Sequence, residues 1–363
     1  MEYEIDFLPV GEESKGGDAI CFRYWDATTP QFVGIIDGGT ADAGEALVTH
    51  VQKYYGTKRV DVVINTHPHA DHTSGLYTVV EKLDVQLLMM HKPWDHAVAL
   101  KNVFQDGRIT STSIDERVRN ALQHAHDLHE LATKKRIPIV EPFAEGNQPS
   151  PHIQFLSPTV KYYQQLLLEF TATPKAPTLE SIYEAMMKKA QKAVQWAKEN
   201  WNTESLVEPV EGTNAENNSS VVTLLSFGDE RFLFTADAGV PTLELSCAVA
   251  EILKIPLASF KLVQIPHHGS KRNVGPSVLN KLVGVPVAEG TKKFSAYVSV
   301  PKKGEPKHPS KRVCNAFTRR GGKVVETKGT IKYLHSNGVP LRPGWVTVEP
   351  MPLHPNVEED DSD

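Results

Sequence analysis

The sequence predicts an α/β protein, on three observations. Short β-rich apolar runs alternate with amphipathic helical segments along most of the chain. Several of those runs stop at aspartate, glycine or histidine, where a rigid strand can present side chains to a site. Two polar, helix-rich stretches, at about 92–150 and 160–210, interrupt this pattern and read as insertions into it.

Ala19-Ile20-Cys21-Phe22-Arg23-Tyr24 and Phe32-Val33-Gly34-Ile35-Ile36 are rich in β-branched and aromatic residues, and the second ends in the turn residues Asp37-Gly38-Gly39. Ala43 to Tyr55 has helical spacing, with Ala46, Leu47, His50, Val51 and Tyr54 on one face. Residues 60–66 read as a buried strand, Leu76 to Leu83 as a helix and Val85 to Met90 as a further strand. The first insertion is mostly helical and contains Arg117 to Lys135, after which strand character returns at Ile153-Gln154-Phe155-Leu156. In the second, a helix is expected after Pro177 with Thr178 as its N-cap. Its stripe of Ile182, Met186, Ala190, Ala193, Ala197 and Trp201 would pack on the main domain, or on a second copy or protein partner. Strands resume at Ser220 and continue to about Val348. The expected organisation is one domain over 1–350 and a disordered acidic tail over 351–363.

No apolar run is long enough to span a bilayer, and Met1-Glu2-Tyr3-Glu4-Ile5-Asp6 lacks the features of a signal peptide. The three cysteines, Cys21, Cys247 and Cys314, lie far apart without metal-type spacing, which argues against a disulfide framework. A cytoplasmic protein without membrane contact is expected. Net charge is −5, yet Lys261 to Lys332 holds sixteen Lys or Arg against three Glu, a local +13 that leaves −18 elsewhere. Such a basic third suits an anionic substrate; a solvated surface with a sign bias is the plainer explanation.

The densest chemistry is Thr66-His67-Pro68-His69-Ala70-Asp71-His72, directly after the apolar run Val60 to Asn65. Imidazole nitrogens and carboxylate oxygens are the donors that zinc and manganese take. His67 and His69 are expected to hold one ion, while Asp71 and His72 face a second. Asp37 closes an earlier strand and is suited to orienting ligand histidines. Asp237 ends Phe232-Leu233-Phe234-Thr235-Ala236, where a carboxylate can bridge two ions. Pro266-His267-His268-Gly269-Ser270 ends another strand; His268 is the preferred ligand of the second ion, with His267 beside it. Pro306-Lys307-His308-Pro309-Ser310 lies in the basic region, and its histidine suits proton donation to a leaving oxygen or contact with a phosphate.

Together these motifs resemble the metallo-β-lactamase-fold superfamily, and more narrowly the hydrolase domain of the ComEC/Rec2 competence proteins. Gly17-Asp18-Ala19-Ile20 resembles that group's early turn. Asn217-Asn218-Ser219-Ser220-Val221-Val222 followed by Phe232 to Asp237 resembles its paired strands, and the two late histidine motifs match as well. The resemblance covers about 5–90 and 215–335. It implies an αββα sandwich with two helical insertions and two divalent ions, zinc or manganese, activating a bridging hydroxide. His67 and His69 would hold one ion, with Asn218 nearby; Asp71, His72 and His268 would hold the other; Asp237 would bridge. The superfamily often supplies a further histidine to the first ion. Here Asn217 or Asn218 stands near its position, and His91, His96, His124, His126 and His129 qualify by residue type alone. Thr235-Ala236-Asp237 also lacks the usual glycine before the aspartate.

The expected function is that of a DNA nuclease or phosphodiesterase, with Asp71 and His308 catalytic. Lys271, Lys307 and Ser270 would contact the substrate. A small-molecule hydrolase acting on a cyclic nucleotide, lactone or thioester is the alternative enzyme. A metal-binding scaffold with little catalysis is the alternative outside enzymes.

Overall fold

Alternation along the strands decides the layers. In the computed structural model, which describes residues 1–12, 16–96, 122–170, 196–303 and 308–358, Ile20, Phe22 and Tyr24 share one apolar cluster while Ala19 and Cys21 join another. The same period of two separates Val62 and Ile64 from Val63, and Phe232 and Phe234 from Leu233. These strands are therefore apolar on both faces, as a sheet covered on each side requires.

Two sheets result. Among the described residues the first runs, in spatial order, Lys332–His335, Glu2–Phe7, Ala19–Trp25, Phe32–Gly38, Val62–Ile64, Leu88–Met89 and Ile139–Val140. Pairing is antiparallel up to Phe32–Gly38 and parallel beyond it. The second runs Gly322–Glu326, Phe294–Val298, Leu262–Gln264, Glu230–Phe234, Val222–Phe227 and Ile153–Ser157, parallel over its first four strands.

Tyr3, Ile5, Phe7, Phe22, Phe155, Phe232 and Phe234 fill the space between the sheets, and aromatic contacts such as Tyr3–Phe232 at 4.7 Å cross it. Helices Ala41–His50, Ala70–Lys82 and Gln123–Lys134 cover the outer face of the first sheet through Leu47, Leu76, Val79 and Leu128. Val240–Ile252, Pro276–Val283 and Lys311–Arg319 cover the second through Leu243, Leu279, Leu282 and Phe317. Each such fully buried side chain contributes roughly 1.5–3 kcal/mol relative to exposure. The layers are helix, sheet, sheet, helix, as expected.

Several expected elements differ. The helix expected from Leu76 begins at Ala70, because its first turn carries polar site residues and shows no apolar period. The strands expected at 60–66 and 85–90 are each broken into two shorter ones, Arg59–Val60 and Val62–Ile64, then Asp84–Val85 and Leu88–Met89. The helix after Ala41 passes into a π-turn at Val51–Tyr55, which buries Tyr55 and leaves Ala46 exposed. In the first insertion Ile139–Val140 extends the first sheet. Of the second insertion's stripe, Ile182, Met186, Ala190 and Ala193 lie outside the described residues, as do Thr178 and Arg117. Ala197 lies in a strand, Trp196–Lys198, that pairs with Asn356–Glu358, and the Trp201 indole donates to the Val287 carbonyl. The tail expected to be disordered from 351 is thus ordered through Glu358, because β-pairing and carboxylate contacts hold it. No helix among the described residues is long and apolar enough to cross a membrane, and all three cysteines are buried and free.

Candidate metal centre

The site gathers where parallel strands of both sheets end, at their C-terminal edges, as ligand sites in α/β sheets do. Asp37, Ala236, His267 and His268 all have left-handed backbone, with φ of 55°, 46°, 47° and 53°. For residues other than glycine this costs of order 1–3 kcal/mol each, so the surrounding packing holds these four turns in place.

Asp237 stands in the middle, and its two oxygens face different donor sets. Oδ1 lies 3.4 Å from His72 Nε2 and 3.9 Å from His268 Nε2, while Asp71 Oδ2 lies 4.0 and 3.9 Å from those same nitrogens. Oδ2 lies 3.7 Å from His67 Nε2 and 3.4 Å from His267 Nε2, and His69 Nδ1 is 3.2 Å from His67 Nε2. His67, His69 and Asp237 form one group of converging donors; Asp71, His72 and His268 form another.

Neighbours fix which nitrogen each ring offers. His72 Nδ1–H donates to Asp37 Oδ2 at 2.7 Å, which turns Nε2 toward Asp237. The Thr66 hydroxyl donates to Asp37 at 2.6 Å, so it accepts from His67 Nδ1–H at 3.0 Å, and His67 Nε2 also points inward unprotonated. His268 Nδ1–H donates to the Ser299 carbonyl at 3.1 Å. Asn273 donates to the Asp237 carbonyl at 2.8 Å, which turns its oxygen to accept from His267 Nδ1–H at 2.9 Å. Each of these four rings thus aims its Nε2 at Asp237.

Electrostatics set His72 apart from His67 and His69. Burial pushes the His67 and His69 imidazoles down, well down for His67. Burial acts likewise on His72, but the Asp237, Asp37 and Asp71 carboxylates outweigh it and hold that imidazole well above its usual range. Burial would raise Asp237, but the His267, His72 and His268 rings hold it well below the usual carboxylate range. Asp37 is raised, because burial outweighs its His72 and Thr66 contacts.

These residues fit divalent ions. His72 Nε2 and His268 Nε2, two of the three donors of the second group, are buried without a hydrogen-bond partner, as is the Asp237 Oδ1 that faces them. A tetrahedral ion with bonds of 2.0–2.1 Å spaces its donors about 3.4 Å apart, close to the separations above. A third group, Asp6, Cys21 and His50, also converges, but Asp6 already accepts from Arg342 at 2.7 and 2.9 Å and from Tyr55 at 2.7 Å. That cluster holds the fold together.

A cavity of about 590 Å3 opens beside the second group, lined by Asp71, His267, His268 and His308 among others. His308 is drawn there by Ser310, whose N–H donates to the Gly269 carbonyl at 3.0 Å; at Gly269 (φ +81°) a Cβ would sit 2.7 Å from Pro309. Lys271 is partly buried on the loop after Ser270 and is absent from this lining; Lys307 lies outside the described residues. The Ser270 hydroxyl accepts from Arg272 N–H at 3.3 Å.

The asparagine pair also differs from expectation. Asn218 is committed to Thr242 (3.0 Å) and Thr213 (3.3 Å), and Asn217 is the one whose amide comes within 3.4 Å of His267. Among the other histidines, His91 and His96 lie against Glu141 at 3.9 and 3.2 Å, and His126 and His129 flank Trp94. Sequence reasoning also passed over Glu216, which is buried and whose charge acts on His69. Its only signal was its place beside Asn217.

Much of the basic third is paired internally. Arg319 and Arg320 bind Glu199 and Glu204 at 2.5 and 2.7 Å, Lys281 binds Glu244 at 3.0 Å, Lys302 binds Glu12 at 3.2 Å, and Lys261 binds Glu230.

The family model of the Metallo-beta-lactamase superfamily matches residues 31–280, and the chain belongs to that superfamily. No curated protein matches it. It is similar to several solved structures. One is a diphosphatase from the PhnP family, with 11% identity and a TM-score of 0.41, covering 92% of this chain and 98% of that one. A second is Tm1679, a metal-dependent hydrolase of the beta-lactamase superfamily, with 12% identity, a TM-score of 0.42 and the same coverage. A third is a long form RNase Z from yeast, with 10% identity and a TM-score of 0.39, covering 92% of this chain and 42% of that one.

Proposed function

We propose that this superfamily hydrolase is a phosphodiesterase working through two divalent ions that share Asp237. The observation that carries the reading is the opposed placement of donors about the two Asp237 oxygens. His67, His69 and Asp237 would hold one ion, with His267 beside it. Asp71, His72, His268 and Asp237 would hold the other, and zinc and manganese both suit these donors. Bound there, the ions would supply Lewis acidity at the scissile group and a lowered pKa for water.

The chain's own residues supply the rest. Asp37 holds the His72 and, through Thr66, the His67 tautomer. The Ser299 carbonyl and Asn273 do the same for His268 and His267. His308, on the cavity wall with Asp71 and His268, is the proposed donor of a proton to the leaving oxygen. Lys271 and Lys307 are proposed to offset phosphate charge.

DNA is the substrate class that the ComEC/Rec2 resemblance implies, and the binding of DNA would weaken steeply with salt. A second reading, a small phosphodiester or other small molecule, is favoured by the cavity of about 590 Å3, a volume usual for small-ligand sites, and by the internal pairing of the basic third. The test incubates the protein with linear and circular, single- and double-stranded DNA, and with bis(p-nitrophenyl) phosphate, in manganese or zinc. An Asp71→Ala/His72→Ala variant is the control. Metal-dependent DNA cleavage lost in the variant supports the nuclease. Turnover of the small diester alone supports the second reading. No turnover of either, with ions bound, would sink the phosphodiesterase reading and leave a scaffold or a hydrolase of other small molecules.

A further inference from the structure

We infer that Asp18 is a further carboxylate of the metal centre, acting beside His72 and Asp237; this rests on the two-ion reading above. Asp18 is 1% exposed, and neither carboxylate oxygen has a hydrogen-bond partner. Its Oδ2 lies 3.9 Å from His72 Nδ1, too far for a hydrogen bond, and that N–H already donates to Asp37. Ligand atoms of Asp18, His72 and Asp237 all lie within 4.8 Å of one another.

The chain is built to bring Asp18 there. A Cβ on Gly16 would sit 3.5 Å from the His268 ring. At Gly17, with φ of +132°, a Cβ would fall 2.0 Å from the Asp71 carbonyl oxygen, so only glycine lets the backbone pass. The turn therefore lies directly against the ligands of the second ion and delivers the next side chain behind them.

A buried carboxylate with no donor is destabilising unless a cation compensates it. Among the described residues, no Lys or Arg forms an ion pair with Asp18, Asp37, Asp71 or Asp237; their recorded ionic partners are histidines. Two divalent ions would balance the charge of those four carboxylates. Cations at the centre are thus the partner Asp18 lacks within the protein.

The experiment titrates Mn2+ and Zn2+, as the ions alone, into wild-type protein, Asp18→Asn and Asp18→Ala by calorimetry, and records the melting temperature of each metal-free protein. The wild type is expected to bind two ions. Both variants are expected to lose about 10- to 100-fold in affinity for at least one ion, while melting, metal-free, no lower than the wild type. Wild-type affinity in both variants overturns the role of Asp18. So does lost affinity accompanied by a lower metal-free melting temperature in both, since Asp18 would then hold the fold. A wild type that binds no ion overturns the two-ion reading itself.

Discussion

Asp37 accepts the His72 Nδ1–H at 2.7 Å, and through Thr66 it also sets the tautomer of His67. One buried carboxylate therefore orients a histidine in each donor group. Asp37→Ala should lower divalent-metal affinity by about 10- to 100-fold, as loss of a partner behind a ligand histidine does. Competition against a chromophoric chelator measures this; unchanged affinity would show that the rings are held without it.

The C-terminal strand Asn356–Glu358 holds the segment that follows His308. Glu358 accepts from Ser310 Oγ and from Lys311 N–H (3.2 Å), while Ser310 is the N-cap of Lys311–Arg319 and binds the Gly269 carbonyl. Glu358→Ala should release His308 from its position, lowering kcat about 10- to 100-fold with metal content unchanged. Elemental analysis beside steady-state kinetics checks the pair, and an unaltered kcat would separate the strand from the site.

Ala236 stands in left-handed backbone, φ 46°, immediately before Asp237. Ala236→Gly relieves that strain at the loss of one buried methyl, and should stay within about 1 kcal/mol of wild type. Ala236→Val adds a branched, buried side chain to the same conformation and should destabilise by more than about 2 kcal/mol. Urea unfolding midpoints decide; equal stability of the two variants would contradict the strain.

Burial alone would raise the Asp6 carboxyl, but His50 and Arg342 hold it below its usual range. A depressed folded value means that its stabilisation is fully present above about pH 4 and is lost as pH falls through the folded value. Arg342→Ala leaves Asp6 buried without its cation, so it should cost about 3–5 kcal/mol at neutral pH. It should also move acid unfolding to higher pH. Thermal melts from pH 3 to 7 test this, and a parallel offset at every pH would contradict the linkage.

What the sequence disclosed depended on how local the cause was. His67, His69, Asp71 and His72 are legible because one strand end and one helix start carry them all, and Asp237 and His268 because each ends its own strand. The sandwich was legible only through the superfamily resemblance that these motifs carry. The first turn of Ala70–Lys82 was hidden because its polar residues carry no apolar period. Asp18 was visible only as part of a turn motif; its burial against His72 depends on Gly17 meeting Asp71, a contact across 54 positions. The basic third misled for the same reason. Arg319 meets Glu199 and Lys302 meets Glu12 only after the chain has folded, so a count along the sequence overstates the charge left for a substrate.

The central claim is that two ions share Asp237, and anomalous diffraction from crystals grown with manganese or zinc tests it most directly. Two peaks about 3.5–4 Å apart are expected, one among His67, His69 and Asp237, the other among Asp71, His72, His268 and Asp237. A single peak, or peaks that leave Asp237 uncoordinated, would contradict it.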